Sequence, residues 1–428
     1  VIGRHIVPQP PLPDSRYAAA RLAVAVLLMT VGTGGMYFVP VVLPAIQAEF
    51  GVTRAAASLP YALLMIGFGP GALLMGRLMD RASLTIPLLV GAASLALGFV
   101  LAAHATSLWA FSAIHGVFIG FLGCAATFSP LLADTSLWWT KRRGIAVAVC
   151  ASGNFLGGAI WPPIVQRLVE AHGWRDTYTV LGIASAVAVL GLAGLMRGRA
   201  PLARVHAGAA ADQDHEKPFG LGVPTALALL MVAGVACCVA MAMPQVHIVA
   251  YCGDLGYGPA RGARMLSLML GCGILSRLAC GALSDRIGGV RTLLLGSGMQ
   301  CIALSLFLPF QSLPSLYVIS ALFGFAQGGI VPAYTIVVRE NFPAAGIGTH
   351  IGAVMMCTMF GMAGGSWMSG KLLDVTGSYH AAFWNGIAWN VLNFSIVLFL
   401  LLRLRKPPER RTREAARMVD NALSAETA

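Results

Sequence analysis

Charge is scarce in this 428-residue chain, with 11% of residues Asp, Glu, Lys or Arg, against about 25% in soluble domains. An ordinary soluble enzyme is excluded. Catalytic signatures are missing too: there is no HExxH, no GxSxG, no glycine-rich phosphate loop ending in Lys-Ser or Lys-Thr, and no paired carboxylates within an apolar run. An intramembrane enzyme and a single-chain ATP-driven pump therefore find no support, and any uphill work must draw on a gradient. The one His-Glu pair, His215-Glu216, has no second histidine at metal spacing, so no metal or cofactor is expected. Nine cysteines lack CxxC spacing and fall mostly within apolar runs, which makes them small packing residues.

What is abundant is apolar. Hydrophobic residues make up 57% of the chain, and mean hydropathy is +0.76. Apolar runs lie near 22–46, 57–76, 84–104, 107–133, 144–168, 176–196, 221–250, 263–283, 291–310, 314–338, 348–370 and 381–402. Each approaches the roughly 20 residues that cross a hydrocarbon core of about 30 Å. The sequence thus predicts an all-α membrane protein with twelve transmembrane helices and both termini on one side. The first run is too long for a cleaved leader and is expected to remain as a span.

Basic residues orient the chain. Of the 29 Lys and Arg, 22 fall on the side shared by the termini, six on the other side (Arg54, Arg167, Arg175, Arg261, Arg264 and Lys371), and Arg277 inside a span. Both termini are therefore expected in the cytoplasm, with a bacterial inner membrane as the expected location. The net charge of +12 reads as topology charge spread over short loops, not as a nucleic-acid surface.

An internal repeat is visible. Gly76-Arg77-Leu78-Met79-Asp80-Arg81 follows the second run, and Gly281-Ala282-Leu283-Ser284-Asp285-Arg286 follows the eighth, 205 positions later. At an offset of 204, Gly144 matches Gly348, Gly157 matches Gly361, and Gly173-Trp174-Arg175 matches Gly377-Ser378-Tyr379. Two pseudo-symmetric six-helix halves follow, at 1–196 and 220–405, joined by a cytoplasmic linker at 197–219 and ending in a basic tail at 406–428. Gly76, Asp80, Arg81, Gly281, Asp285 and Arg286 are gate candidates: a small residue lets helix ends approach, and an Asp-Arg pair makes charge-assisted bonds.

With these motifs the sequence resembles the major facilitator superfamily over all twelve runs. The family's loop signature is full in 281–291 and partial after Gly76, where Ala82 and Ser83 replace the glycine region. Trp139-Thr140-Lys141-Arg142-Arg143-Gly144-Ile145-Ala146, Ala151-Ser152-Gly153-Asn154 and Gly173-Trp174-Arg175 are similar to the fourth-to-sixth-span region of monocarboxylate transporters and the oxalate-formate antiporter group. Asn341-Phe342-Pro343, 361–365 and 374–379 are similar to their last third. The resemblance implies two rocking halves around a midplane site, working as a monomer.

Arg277 lies about four residues, or 6 Å at 1.5 Å per residue, from the middle of the eighth run. A permanent cation there costs at least about 2.5 kcal/mol, so it needs a wet cavity or a partner. Its fork suits a carboxylate, and the resembled transporters place their carboxylate-binding arginine in the pattern matched by Ser276-Arg277-Leu278 before Gly281. The alternatives are a snorkelling or structurally paired arginine. No acid lies at mid-depth in any run, which points to an anionic guest and away from cationic drugs. Two departures stand out: Gly273 replaces the aspartate one turn before the arginine of animal monocarboxylate transporters, and no lysine occupies the first span.

Proton coupling by that route is therefore in doubt, and His115, His247 and His350 become the proton-coupling candidates. Spans one, four, seven and ten surround the path in the resembled superfamily, which makes Tyr37, Phe121, Gln245, Tyr251, Gln327 and Tyr334 candidates for lining it. Asn154 and Trp161 of span five join them, with plain helix packing as the competing role of each. Gly32-Thr33-Gly34-Gly35 reads as a close helix contact, and Gly67 with Gly71 as small-residue packing. The expected function is secondary transport of a small monocarboxylate-like anion, by proton symport and alternating access. The alternatives are a carboxylate exchanger, a broader organic-anion or drug exporter, and a ligand sensor with a transporter fold.

Overall fold

The computed structural model describes residues 13–196, 218–343 and 346–404. Most of the expected linker and the whole expected tail lie outside the described residues. Eleven described helices are long and apolar enough to cross a bilayer. One of these, Arg143–Leu195, has 53 residues, roughly 80 Å if straight. It is interrupted at Gly173, whose φ of 79° and ψ of 164° break the helix. Its two arms are spans five and six, which is consistent with twelve spans among the described residues. No strand occurs among the described residues.

Local chemistry sets the ends. Ser15 begins span one by accepting the N–H of Ala18 at 3.3 Å, and Ser107 begins span four by accepting that of Ala110 at 3.2 Å. Gly51 ends span one and Gly377 ends span eleven at φ of 58° and 65°, a left-handed turn that glycine adopts without strain.

Three of the four central spans are broken near mid-depth. Span one divides into Arg16–Gly32 and Gly35–Phe50, and span ten into Leu313–Gln327 and Ile330–Asn341. Span four runs as Leu108–Ile114, a π-helical stretch His115–Cys124, then Ser129–Trp138. Span seven, Val223–Asp254, is continuous with Pro244 inside it. The glycine run of span one thus does two things: it makes close contact, as read from the sequence, and it also interrupts the helix. A Cβ at Gly34 would sit 2.6 Å from Trp161 Nε1.

The repeat is built into the packing. A Cβ at Gly157 would lie 2.7 Å from the carbonyl oxygen of Thr30, and one at Gly361 would lie 2.5 Å from that of Val235. Spans five and eleven therefore cross spans one and seven at equivalent glycines. Likewise a Cβ at Gly120 would be 2.4 Å from Leu64 O and one at Gly324 1.9 Å from Met269 O. Such approaches maximise van der Waals contact where lipid offers no hydrophobic drive. Gly67 and Gly71 behave as read from the sequence, resting on the carbonyls of Gly116 and Phe121.

The first half also holds a buried ion pair. Arg21 Nε and Nη2 donate to Asp134 Oδ2 and Oδ1 at 2.8 and 2.9 Å, joining spans one and four below the ring of Trp138. All nine cysteines are free.

Candidate functional site

One buried cation lies at the break in span ten. Arg277 in span eight, Pro259–Ile287, is 8% exposed and makes no ion pair among the described residues. Its Nε donates to Gly328 O at 3.3 Å and its Nη1 to Ala151 O at 2.9 Å. Gly328 follows the first piece of span ten, so its carbonyl carries the negative end of that helix dipole. The Phe155 ring of span five covers the guanidinium at 4.3 Å, adding a cation–π contact. Backbone and ring thus solvate the charge without neutralising it. Nη2 has no partner among the described residues and remains available to an acceptor.

A polar wall stands beside it. Tyr37 is 8% exposed, donates from its hydroxyl to Asn154 Oδ1 at 2.8 Å, and feels the charge of Arg277. Trp161 Nε1 donates to Thr30 O at 2.9 Å, occupying a carbonyl beside the break in span one. On the other side Gln245 Nε2 donates to Gln327 Oε1 at 2.7 Å, tying span seven to span ten. Gln327 directly precedes Gly328, whose carbonyl accepts from Arg277. Its own Nε2 is buried and without a partner among the described residues.

Other residues expected at the site lie elsewhere. Tyr334 is fully buried and donates to Asn393 Oδ1 at 2.7 Å, inside the second half. Tyr251 packs on Tyr379 at 4.6 Å and on Phe383 at 5.7 Å, near the end of span seven remote from the termini. Phe121 uses its backbone as the seat for Gly71. The bond of Tyr334 and the ring contacts of Tyr251 are made within the second half. Phe155, unremarked in the sequence, takes a place at the cation instead.

The histidines separate. His115 is fully buried among Phe111, Trp174 and Tyr178, with Nδ1 on Phe111 O at 2.8 Å and Nε2 at 3.3 Å from Tyr178 Oη. His247 is buried between spans seven and eleven, with Nε2 2.8 Å from Ser366 O, and lies in the field of Arg54 and Asp374. His350 starts span eleven near the ring of Phe342, at 5.5 Å. Of the gate candidates, Asp80, Arg81, Asp285 and Arg286 are exposed and make no ion pair among the described residues. No metal-holding cluster of His, Cys, Asp or Glu occurs among the described residues.

The two halves are bonded across the remote face. Arg54 Nη2 reaches Asp254 Oδ2 at 2.9 Å, and Asp374 accepts the N–H groups of Arg54 and Ala55 at 2.8 Å each. At mid-depth the bond from Arg277 to Ala151 and one from Ser267 Oγ to Ala159 O also join them.

Repeated six-helix halves around a shielded, uncompensated cation define a membrane transporter for a small molecule. The Major Facilitator Superfamily model matches residues 24–300 and 226–425, and the chain belongs to that family. Among curated relatives, it is 29% identical over 355 residues to monocarboxylate transporter 13 of Rattus norvegicus, covering 82% of this chain and 79% of the relative. It is 24% identical over 333 residues to the MFS transporter asaE of Aspergillus flavus, covering 76% and 72%. Among solved structures, it matches a bacterial homologue of the human lysosomal transporter Spinster in an inward-facing, occupied conformation with a TM-score of 0.68, at 13% identity and over 92% and 98% of the two chains. The nucleoside transporter NupG matches with a TM-score of 0.69, at 13% identity and over 90% and 100%.

Proposed function

We propose that the chain carries a small organic anion with a carboxylate head, and that Arg277 is its anchor. The observation that carries this reading is the state of the guanidinium: buried, and among the described residues bonded only to backbone carbonyls and a ring, with no counter-ion and one edge unused. A carboxylate on that edge gains charge-assisted hydrogen bonds in a setting of low dielectric. Tyr37, Asn154, Gln245 and Gln327 supply neighbouring polar groups, while Phe155 and Trp161 supply apolar walls. Relatives named as monocarboxylate transporters support the same class.

Six-helix halves that rock about such a midplane site give alternating access. The basic-residue asymmetry supports cytoplasmic termini, which makes the remote face external. The proposed mode is proton symport by a monomer, with His247 the favoured of the three histidines because it lies closest to the inter-half charges of Arg54 and Asp374. Asp80, Arg81, Asp285 and Arg286, exposed and without ion pairs among the described residues, are read as latch parts that engage when the terminal face closes.

The test is uptake of labelled lactate, pyruvate, acetate and oxalate into proteoliposomes, with and without a pH gradient. Native protein should take up at least one acid saturably, and Arg277→Gln should lose at least about tenfold in uptake, as expected for losing a charged hydrogen-bond partner worth about 1.5–3 kcal/mol. Unchanged saturable uptake in the variant removes the anchor. Stimulation by internal oxalate in place of external acid assigns exchange instead of symport.

A further inference from the structure

Because the halves cross at equivalent glycines, positions that differ between them show where their tasks differ. Glu49 lies at the end of span one, and 205 positions later Asp254 ends span seven. Gly173 and Gly377 turn the corners into spans six and twelve, with φ of 79° and 65°. In the first half Arg175 follows that corner. Its Nε and Nη2 donate to Glu49 Oε1 at 2.9 and 2.6 Å, and Nη2 also reaches Ala105 O at 3.0 Å. The acid finds its counter-charge inside its own half.

The residue equivalent to Arg175, 204 positions on, is Tyr379. A phenol brings no charge. It donates a hydrogen bond to Asp254 Oδ2, and the cation comes from the other half: Arg54 Nη2 donates to that oxygen at 2.9 Å and Arg54 Nη1 to Tyr379 Oη at 3.2 Å. The Arg54 side chain is 8% exposed and that of Asp254 47%.

A second asymmetry lies beside it. Asp374 caps the start of span two by accepting the N–H groups of Arg54 and Ala55, an anion placed at a helix N-terminus. The equivalent pairing would use Glu170 and Pro259. Pro259 has no N–H to give, and Glu170 accepts from Gln166 Nε2 at 2.9 Å instead. Among the described residues this charged seam at the remote face therefore lies between spans two and eleven and has no counterpart between spans five and eight, whose inter-half bonds from Ser267 and Arg277 lie at mid-depth.

We propose that Arg54, Asp254, Tyr379 and Asp374 form the latch that closes the remote mouth of the transport path. A tyrosine in place of the first half's arginine leaves Asp254 to be neutralised across the halves, which turns an intra-half clamp into an inter-half lock. Each transport cycle breaks and remakes it, so these residues set the balance between open and closed forms.

The experiment follows the thiol reactivity of Ser369→Cys. Ser369 is 3% exposed, and its neighbour Gly370 would place a Cβ 2.8 Å from the Ala55 backbone. The nine native cysteines are replaced by alanine or serine, and a membrane-impermeant maleimide is added on the remote side of proteoliposomes. Arg54→Gln and Asp254→Asn should each speed labelling by about fivefold, the factor for losing a pair worth about 1 kcal/mol. Tyr379→Arg should do the same while keeping every native charge, because the introduced guanidinium competes for Asp254 as Arg175 holds Glu49. Arg175→Gln should not.

Rates for Arg54→Gln and Tyr379→Arg within twofold of the parent overturn the proposal, as does an equal rise in Arg175→Gln. If Arg54→Gln fails to fold, Tyr379→Arg decides alone. No substrate enters the assay, so its outcome is independent of whether Arg277 binds a carboxylate.

Discussion

The Phe155 ring lies 4.3 Å from the guanidinium carbon of Arg277 and also fills the space beside Gly273, where a Cβ would come within 2.5 Å of its Cε1. One aromatic side chain therefore covers the cation and excludes an acid from the preceding helical turn. Gly273→Asp alone should lower the melting temperature, because the ring must move. Gly273→Asp with Phe155→Ala should recover part of that loss by pairing the acid with Arg277, and should abolish stabilisation by added monocarboxylates. Thermal-shift titration of all three variants is the check.

Arg277→Lys keeps the charge and loses the planar fork. Because Nε and Nη1 serve Gly328 and Ala151, an ammonium cannot keep both bonds and still offer a planar edge to a carboxylate. Half-saturation for uptake should rise about tenfold or more. A lysine variant with native half-saturation counts against the fork.

The matched glycine crossings should respond alike. Gly157→Ala and Gly361→Ala would bring a methyl to 2.7 and 2.5 Å from backbone carbonyls of spans one and seven, a clash costing about 1–3 kcal/mol each. Gly348→Ala, with nothing within 4 Å of its Cβ, should be neutral. Melting temperatures in detergent distinguish the two kinds of glycine.

The Arg21 and Asp134 side chains are 3% and 7% exposed, so Asp134→Asn removes the counter-charge of a buried cation at a cost of about 3 kcal/mol. Replacing both residues by apolar ones of similar volume should recover most of it. A single substitution without thermal cost means the pair contributes nothing.

Asp14 lies before span one and accepts bonds from the hydroxyl and N–H of Thr140 and the N–H of Lys141. The Thr140 hydroxyl in particular holds its carboxyl below the usual 3.8. A depressed acid stabilises the fold above its unfolded value and stops doing so as pH falls through the folded value. The protection factors of the Thr140 and Lys141 amides, taken relative to intrinsic exchange at each pH, should fall on acidification in the native protein and already be low at pH 7 in Asp14→Asn.

Much of the fold was legible in the sequence because lipid imposes long apolar helices and a duplicated chain repeats its turn residues. Gly157 with Gly361, and Gly173 with Gly377, proved to be equivalent contacts and corners. Arg277 was legible as well, since a lone charge in an apolar run has few uses. Phe155 was not: it is one of 19 phenylalanines, and only its position opposite Gly273 distinguishes it. Nor were the pairs Arg21–Asp134 and Arg54–Asp254, because each joins a residue read as a loop charge to one far away in the chain. The breaks in spans one, four and ten left weak marks, as glycine is common throughout. Tyr251 and Tyr334 were assigned by helix number alone, and rotation about the helix axis placed them on neighbouring helices.

The shelter of Arg277 is made of main-chain oxygens at Ala151 and Gly328. Replacing a side chain does not remove a peptide carbonyl, so drift at those two positions leaves the cation's footing largely intact. The surrounding side chains stay free to vary, and a lineage descending from this chain has room to reshape the neighbourhood of this charge without first rebuilding its perch.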